Sequence, residues 1–65
     1  MEIEQGKSYN ANLPNGRNIK IHIDYILPSK CYDNEEIVVY RYWRRNRWEQ
    51  EVIEKYKFDM YNDGK

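Results

Sequence analysis

Pro14-Asn15-Gly16 stands between two runs of alternating apolar residues, and no other stretch restricts the fold as strongly. Upstream, Tyr9, Ala11 and Leu13 share one parity; downstream, Ile19, Ile21 and Ile23 are separated by Lys20 and His22. Both runs have the period of half-buried strands. Their parity selects the turn between them. A two-residue Asn15-Gly16 turn would set Ala11 against Lys20 and Asn12 against Ile19, sending the two apolar sets to opposite faces. A three-residue loop, Pro14-Asn15-Gly16, opposes Leu13 to Arg17, Ala11 to Ile19 and Tyr9 to Ile21, and the apolar sets agree. Proline presets φ at the first turn position and glycine accepts the left-handed one, so a type I turn closed by a G1 bulge is expected.

The strand after this turn runs to about Leu27, where Pro28 stops ladder pairing. Pro28 to Glu35 is polar and turn-rich and reads as a loop. Ile37-Val38-Val39-Tyr40-Arg41-Tyr42-Trp43 is β-branched and aromatic throughout and reads as a strand. For the hairpin that follows, a three-residue loop Arg44-Arg45-Asn46 opposes Trp43 to Arg47, Tyr42 to Trp48, Arg41 to Glu49, Tyr40 to Gln50 and Val38 to Val52. One face then carries Val38, Tyr40, Tyr42, Trp48 and Val52, and the other a Trp–Arg contact and an Arg–Glu pair. A two-residue Arg45-Asn46 turn, pairing Trp43 with Trp48 and Tyr40 with Glu51, ranks second.

The C-terminal third supports two readings. Trp48, Val52, Tyr56 and Met60 lie four apart, the spacing of a helix over 47–61. The preferred reading is strand to about Ile53, a short turn, and a last segment through Tyr56, Phe58 and Met60. Together these elements predict an all-β fold over residues 1–65: a small SH3-like, partly open barrel of four to five antiparallel strands, whose closure removes exposed edges. The alternative is an α+β fold with a C-terminal helix 47–61.

Sixty-five residues allow one domain with a thin core, because a chain of this size buries only about 60% of its unfolded surface. An enzyme with its own deep pocket is not expected. Seven Tyr and two Trp supply much of the apolar area as amphipathic rings, which suit shallow cores and binding faces alike. A single cysteine, Cys31, cannot staple the chain, and the acidic opening Met1-Glu2-Ile3-Glu4-Gln5 has no apolar signal core, so a cytoplasmic protein is expected. No apolar run is long enough to cross a bilayer as a helix.

The Gly6-Lys7-Ser8-Tyr9 opening, the Leu13-Pro14-Asn15-Gly16-Arg17 hairpin and the Tyr40-Arg41-Tyr42-Trp43 strand returning through Arg47-Trp48 resemble the small SH3-like barrel proteins that bacterial viruses and other mobile elements encode. The resemblance implies a non-catalytic accessory protein that binds, and modulates, a host factor. The Ala-Leu-Tyr-Asp-Tyr signature of eukaryotic SH3 domains is missing, so their groove for Pro-rich peptides does not carry over.

Catalytic and metal constellations are thin. A nucleophile and base pair would need His22, the one histidine, which lies on the polar side of its strand. One His, one Cys and scattered carboxylates have no zinc spacing, and Asp33-Asn34-Glu35-Glu36 lacks the glycine and alternation of a calcium loop. Cys31 beside Lys30 reads as an incidental thiol. No cofactor is expected.

Eleven Lys and Arg balance eleven Asp and Glu, but the charges are not evenly spread. Arg41, Arg44, Arg45 and Arg47 fall between Ile37 and Trp48 with no acid among them, and Glu49, Glu51 and Glu54 follow. Arginines interleaved with aromatics mark protein-interface hot spots and also grip single-stranded nucleic acid by stacking. The candidate partner-binding residues are therefore Arg41, Trp43, Arg44, Arg45, Arg47 and Glu49, with Trp43 facing outward. Overall neutrality and the crowding glutamates favour a protein partner over nucleic acid, whose phosphates need accumulated cations. Self-association is a third reading, since small folds gain burial that way.

Overall fold

The computed structural model describes residues 2–30 and 35–63. Cys31 and most of the acidic loop before the third strand lie outside them. Four strands, β1 (Ser8–Asn12), β2 (Asn18–Pro28), β3 (Glu36–Arg44) and β4 (Arg47–Glu54), form one antiparallel sheet in the order of the chain, and a helix, α1 (Lys55–Asp63), follows β4 directly. Among the described residues β1 and β4 are not paired, so the sheet is open.

The first hairpin has the expected register. Tyr9 faces Ile21 and Ala11 faces Ile19. The Gly16 N–H donates to the Leu13 carbonyl at 2.9 Å, and Gly16 has φ +86°. Asn15 Oδ1 accepts from the Arg17 N–H at 3.0 Å, an Asx turn that holds the loop from inside. The segment before β1 runs on along β2. Gly6 N–H donates to Ile23 O at 2.8 Å, Ile23 N–H to Lys7 O at 2.9 Å, and Ile26 N–H to Gln5 Oε1 at 2.8 Å.

The second hairpin differs from the preferred three-residue loop. Arg44 pairs with Arg47, Trp43 with Trp48, Tyr42 with Glu49, Tyr40 with Glu51 and Val38 with Ile53. Arg45 and Asn46 form a two-residue turn with φ of 53° and 64°, the left-handed pair that a type I′ turn requires. This one-residue change moves every side chain of β4 to the other face. Trp48 and Val52, expected in the core, are 56% and 61% exposed, while Ile53 is buried in their place.

Residues 55–63 also depart from the preferred strand reading. The alternating Tyr56, Phe58 and Met60 form part of a helix in which Phe58 alone is buried. The alternative helix over 47–61 is corrected too, because 47–54 is strand and the stripe Trp48, Val52, Tyr56, Met60 is exposed along its whole length. Local ion pairs favour the helix, Lys55 Nζ meeting Asp59 Oδ2 at 2.8 Å and Lys57 Nζ meeting Glu54 Oε2 at 3.5 Å. Nine residues are too few for a helix to persist alone in water, so docking has to hold it. Phe58 inserts into a core of Ala11, Leu13, Ile21, Ile23, Val38, Tyr40, Tyr42 and Ile53, and Asn62 ties the last turn to Asn12 of β1.

The helix therefore covers one face of the sheet. The opposite face is left open, and a bulge shapes it. The β2–β3 register slips between Ile23 and Tyr25, which makes Asp24 an extra residue and re-aims its carboxylate across the open face.

Candidate functional site

The open face is built from alternate residues of three strands: Lys20, His22 and Tyr25 of β2, Val39, Arg41 and Trp43 of β3, and Trp48, Gln50 and Val52 of β4. A two-residue turn makes Arg44 and Arg47 the hydrogen-bonded pair, so Trp43 and Trp48 occupy the closer, non-hydrogen-bonded site. Their rings meet edge to face, 5.3 Å between centroids at 77°. The positive rim of one ring against the negative face of the other favours that arrangement. Both indoles remain more than half exposed.

Arg41 continues the stack, its guanidinium carbon 5.2 Å from the Trp48 ring centroid. It is held there from the other side. Asp24 Oδ1 lies 3.2 Å from Arg41 Nε, and Asp24 Oδ2 accepts from Gln50 Nε2 at 3.1 Å. The bulge residue of β2 thus joins side chains of β3 and β4 and orients Arg41 toward the indole, although the Arg41 side chain is still 45% exposed. Beside this clamp Ser8, Lys20, His22, Arg41, Trp43 and Trp48 line an open concavity of about 580 Å³. Ser8 Oγ and His22 Nδ1 are 3.2 Å apart at its edge.

The six residues singled out in sequence separate into two groups. Arg41 and Trp43 stand on the open face. Arg44, Arg47 and Glu49 project to the helix side of the sheet, where Arg47 Nε donates to Glu49 Oε1 at 2.8 Å. Arg45 occupies the turn itself. On the helix side the two tyrosines feel burial and the neighbouring acids together. Tyr40 is pushed up to about 12 by burial first, then by Glu51 and Tyr42. Tyr42 is raised by burial, by the charge and hydrogen bond of Glu51, and by Glu49, with Arg44 opposing. The Tyr42 hydroxyl donates to Glu51 Oε1 at 3.4 Å.

Asp24, Gln50 and Trp48 were not among the sequence-derived site residues. For Trp48 the signal was present in the two-residue Arg45-Asn46 turn, which alone pairs it with Trp43. For Asp24 there was none, since a bulge inside an alternating strand leaves no local composition mark here. Among the described residues no group of three His, Cys, Asp or Glu side chains could hold a metal ion, and no helix is long and apolar enough to cross a membrane. Comparisons with protein-family models, with characterised proteins and with solved structures return no match.

Proposed function

We propose that this chain is a non-catalytic binding module whose working surface is the open sheet face centred on Trp43, Trp48 and Arg41, and that its partner is a protein. The carrying observation is the fixed aromatic pair with a clamped guanidinium over it, left uncovered on the face opposite the helix. Two large rings held at more than half exposure leave apolar area in water, and interfaces draw most of their energy from such Trp and Arg anchors. In this reading the bent sheet is a partly open SH3-like barrel whose gap is filled by α1. The Asp24 bulge and the approach of the Pro14-Asn15 turn to Glu51 and Ile53 support that view. The small barrel proteins of bacterial viruses and mobile elements that the sequence resembles suggest a host protein in the cytoplasm as the target. Among the six residues proposed from sequence, Arg41 and Trp43 form the centre, Arg45 the rim, and Arg44, Arg47 and Glu49 the far side of the hairpin.

The test is capture of a bacterial partner by the intact chain and by Trp43→Ala, Trp48→Ala and Arg41→Ala. The expected outcome is loss of capture in all three with an unchanged far-ultraviolet circular dichroism spectrum. Retained capture in all three overturns the assignment of this face.

The same concavity favours a second reading through Lys20, which adds a cation beside the indoles, and His22, which adds a further ring. Single-stranded nucleic acid stacks on such rings and needs few phosphate contacts to bind weakly. Anisotropy titration with labelled oligonucleotides at low salt decides it: binding abolished by Trp43→Ala supports nucleic acid, and no binding removes it.

A further inference from the structure

The two edges of the sheet are treated differently, and the difference points to how a partner is held. The β1 edge is blunted by the chain itself. Asn12 N–H donates to Asn62 Oδ1 at 2.6 Å, Asn62 Nδ2 donates to Asn12 O at 3.2 Å, and Asn12 Nδ2 donates to the Tyr61 carbonyl at 3.0 Å. The β4 edge has no such cap: the Pro14-Asn15 turn stands across a cleft from Glu51, Val52 and Ile53, but no backbone hydrogen bond from a turn or loop among the described residues goes to the strand. With Arg47, Glu49, Glu51 and Ile53 turned toward β3, the N–H and C=O groups of Trp48, Gln50 and Val52 point outward along an unbroken strand. An edge of this kind is a template for another strand.

A second copy is a poor occupant. Registers that centre β4 on itself and keep the sheet faces in common oppose Glu49 to Glu49, Glu49 to Glu51, or Glu51 to Glu51. Like charges directly opposite disfavour each of them.

The chemistry beside the edge fits a cation instead. Beside the edge, a cleft of about 160 Å³ is lined by Tyr40, Tyr42, Glu51, Val52 and Ile53 together with Leu13, Pro14 and Asn15 from the first hairpin. The cleft has the size of one long side chain. Glu49 is already paired with Arg47, whereas Glu51 meets only the long contact to the Tyr42 hydroxyl among the hydrogen bonds and ion pairs of the described residues. On the other side of the strand, the exposed Trp48 and Val52 offer apolar area to alternate residues of an added strand.

We propose that the β4 edge adds an extended segment of a protein partner in which Lys or Arg alternates with apolar residues. One cation enters the cleft at Glu51, and the apolar side chains lie against Trp48 and Val52. Backbone hydrogen bonds from Trp48, Gln50 and Val52 supply the attachment, and the alternation supplies the selectivity. The inference rests on the protein-binding reading and assigns it a mode.

The probe is a short synthetic peptide of alternating Lys and Val, with the Glu-Val counterpart as control, titrated into the intact chain while amide exchange is followed residue by residue. Exchange at Trp48, Gln50 and Val52 is expected to slow about tenfold with the Lys-Val peptide alone. Glu51→Lys should abolish that protection, and Val52→Pro, which removes an outward N–H without touching the β3 ladder, should do the same; N-methylation of Val52 replaces the proline should that variant not fold. Protection with both peptides, protection elsewhere only, no binding, or a dimer by sedimentation without peptide each overturns the proposal. A partner lost on Trp43→Ala but unaffected by Glu51→Lys and Val52→Pro would overturn the edge and leave the open face standing.

Discussion

Replacing Arg45 by glycine should stabilise the protein, and the sign of that effect tests the turn on which the Trp43–Trp48 pair depends. Arg45 has φ +53° and its side chain has no hydrogen bond or ion pair among the described residues, so the substitution acts through the backbone. An ordinary L-residue in the left-handed region costs about 1–2 kcal/mol, and glycine avoids this while adding roughly 0.5–1 kcal/mol of unfolded-chain entropy. The net gain is of order 0.5–1 kcal/mol. Arg45→Ala controls for loss of the side chain, because alanine keeps the steric penalty. The glycine variant should melt several degrees above the alanine variant, since about 1 kcal/mol moves the midpoint of a domain this small by roughly 4–8 °C. Thermal unfolding followed by circular dichroism gives the comparison. In a three-residue Arg44-Arg45-Asn46 loop, position 45 would have negative φ and alanine would be the more stable. An alanine variant melting above the glycine variant would therefore refute the type I′ turn and, with it, the outward placement of Trp48.

Phe58→Ala should cost about 3–5 kcal/mol, close to the whole stability of a fold this small, and leave the chain largely unfolded by circular dichroism, whereas Phe58→Leu should stay folded. Asn62→Ala removes the cap on the β1 edge and should lower stability by about 1–2 kcal/mol in urea, with faster amide exchange at Asn12. Alkaline unfolding should precede that of a tyrosine-free core. With the folded value of Tyr40 at about 12 against the ordinary 10.0, its neutral phenol stabilises the fold fully below pH 10, and about 2 kcal/mol of that is lost by the time pH reaches 12. Tyr40→Phe should flatten that part of the stability profile in denaturant titrations at stepped pH.

Much of this molecule was legible in its residues. The register of the first hairpin follows from parity alone, because only a three-residue Pro14-Asn15-Gly16 turn brings Tyr9, Ala11, Ile19 and Ile21 to one face. The burial of Val38, Tyr40 and Tyr42 and the outward Trp43 follow from alternation in β3. The second hairpin was not decided this way, since cross-strand chemistry favoured the three-residue loop over the two-residue turn that sets Tyr40 against Glu51. The choice fell to the tertiary structure: with Phe58 of α1 in the same core as Tyr40 and Tyr42, that core takes Ile53 and leaves Trp48 and Val52 outside. The helix was hidden for a related reason. Its apolar residues alternate like a strand, and only docking of Phe58 and the Asn62–Asn12 bonds make nine residues hold a helix. The Asp24 clamp is wholly a product of the sheet, joining three strands through a bulge that a one-dimensional pattern does not register. Local periodicity and turn chemistry thus determine where strands begin and which face each presents. Which of two consistent registers survives, and what then remains exposed for a partner, depends on competition for one shallow core.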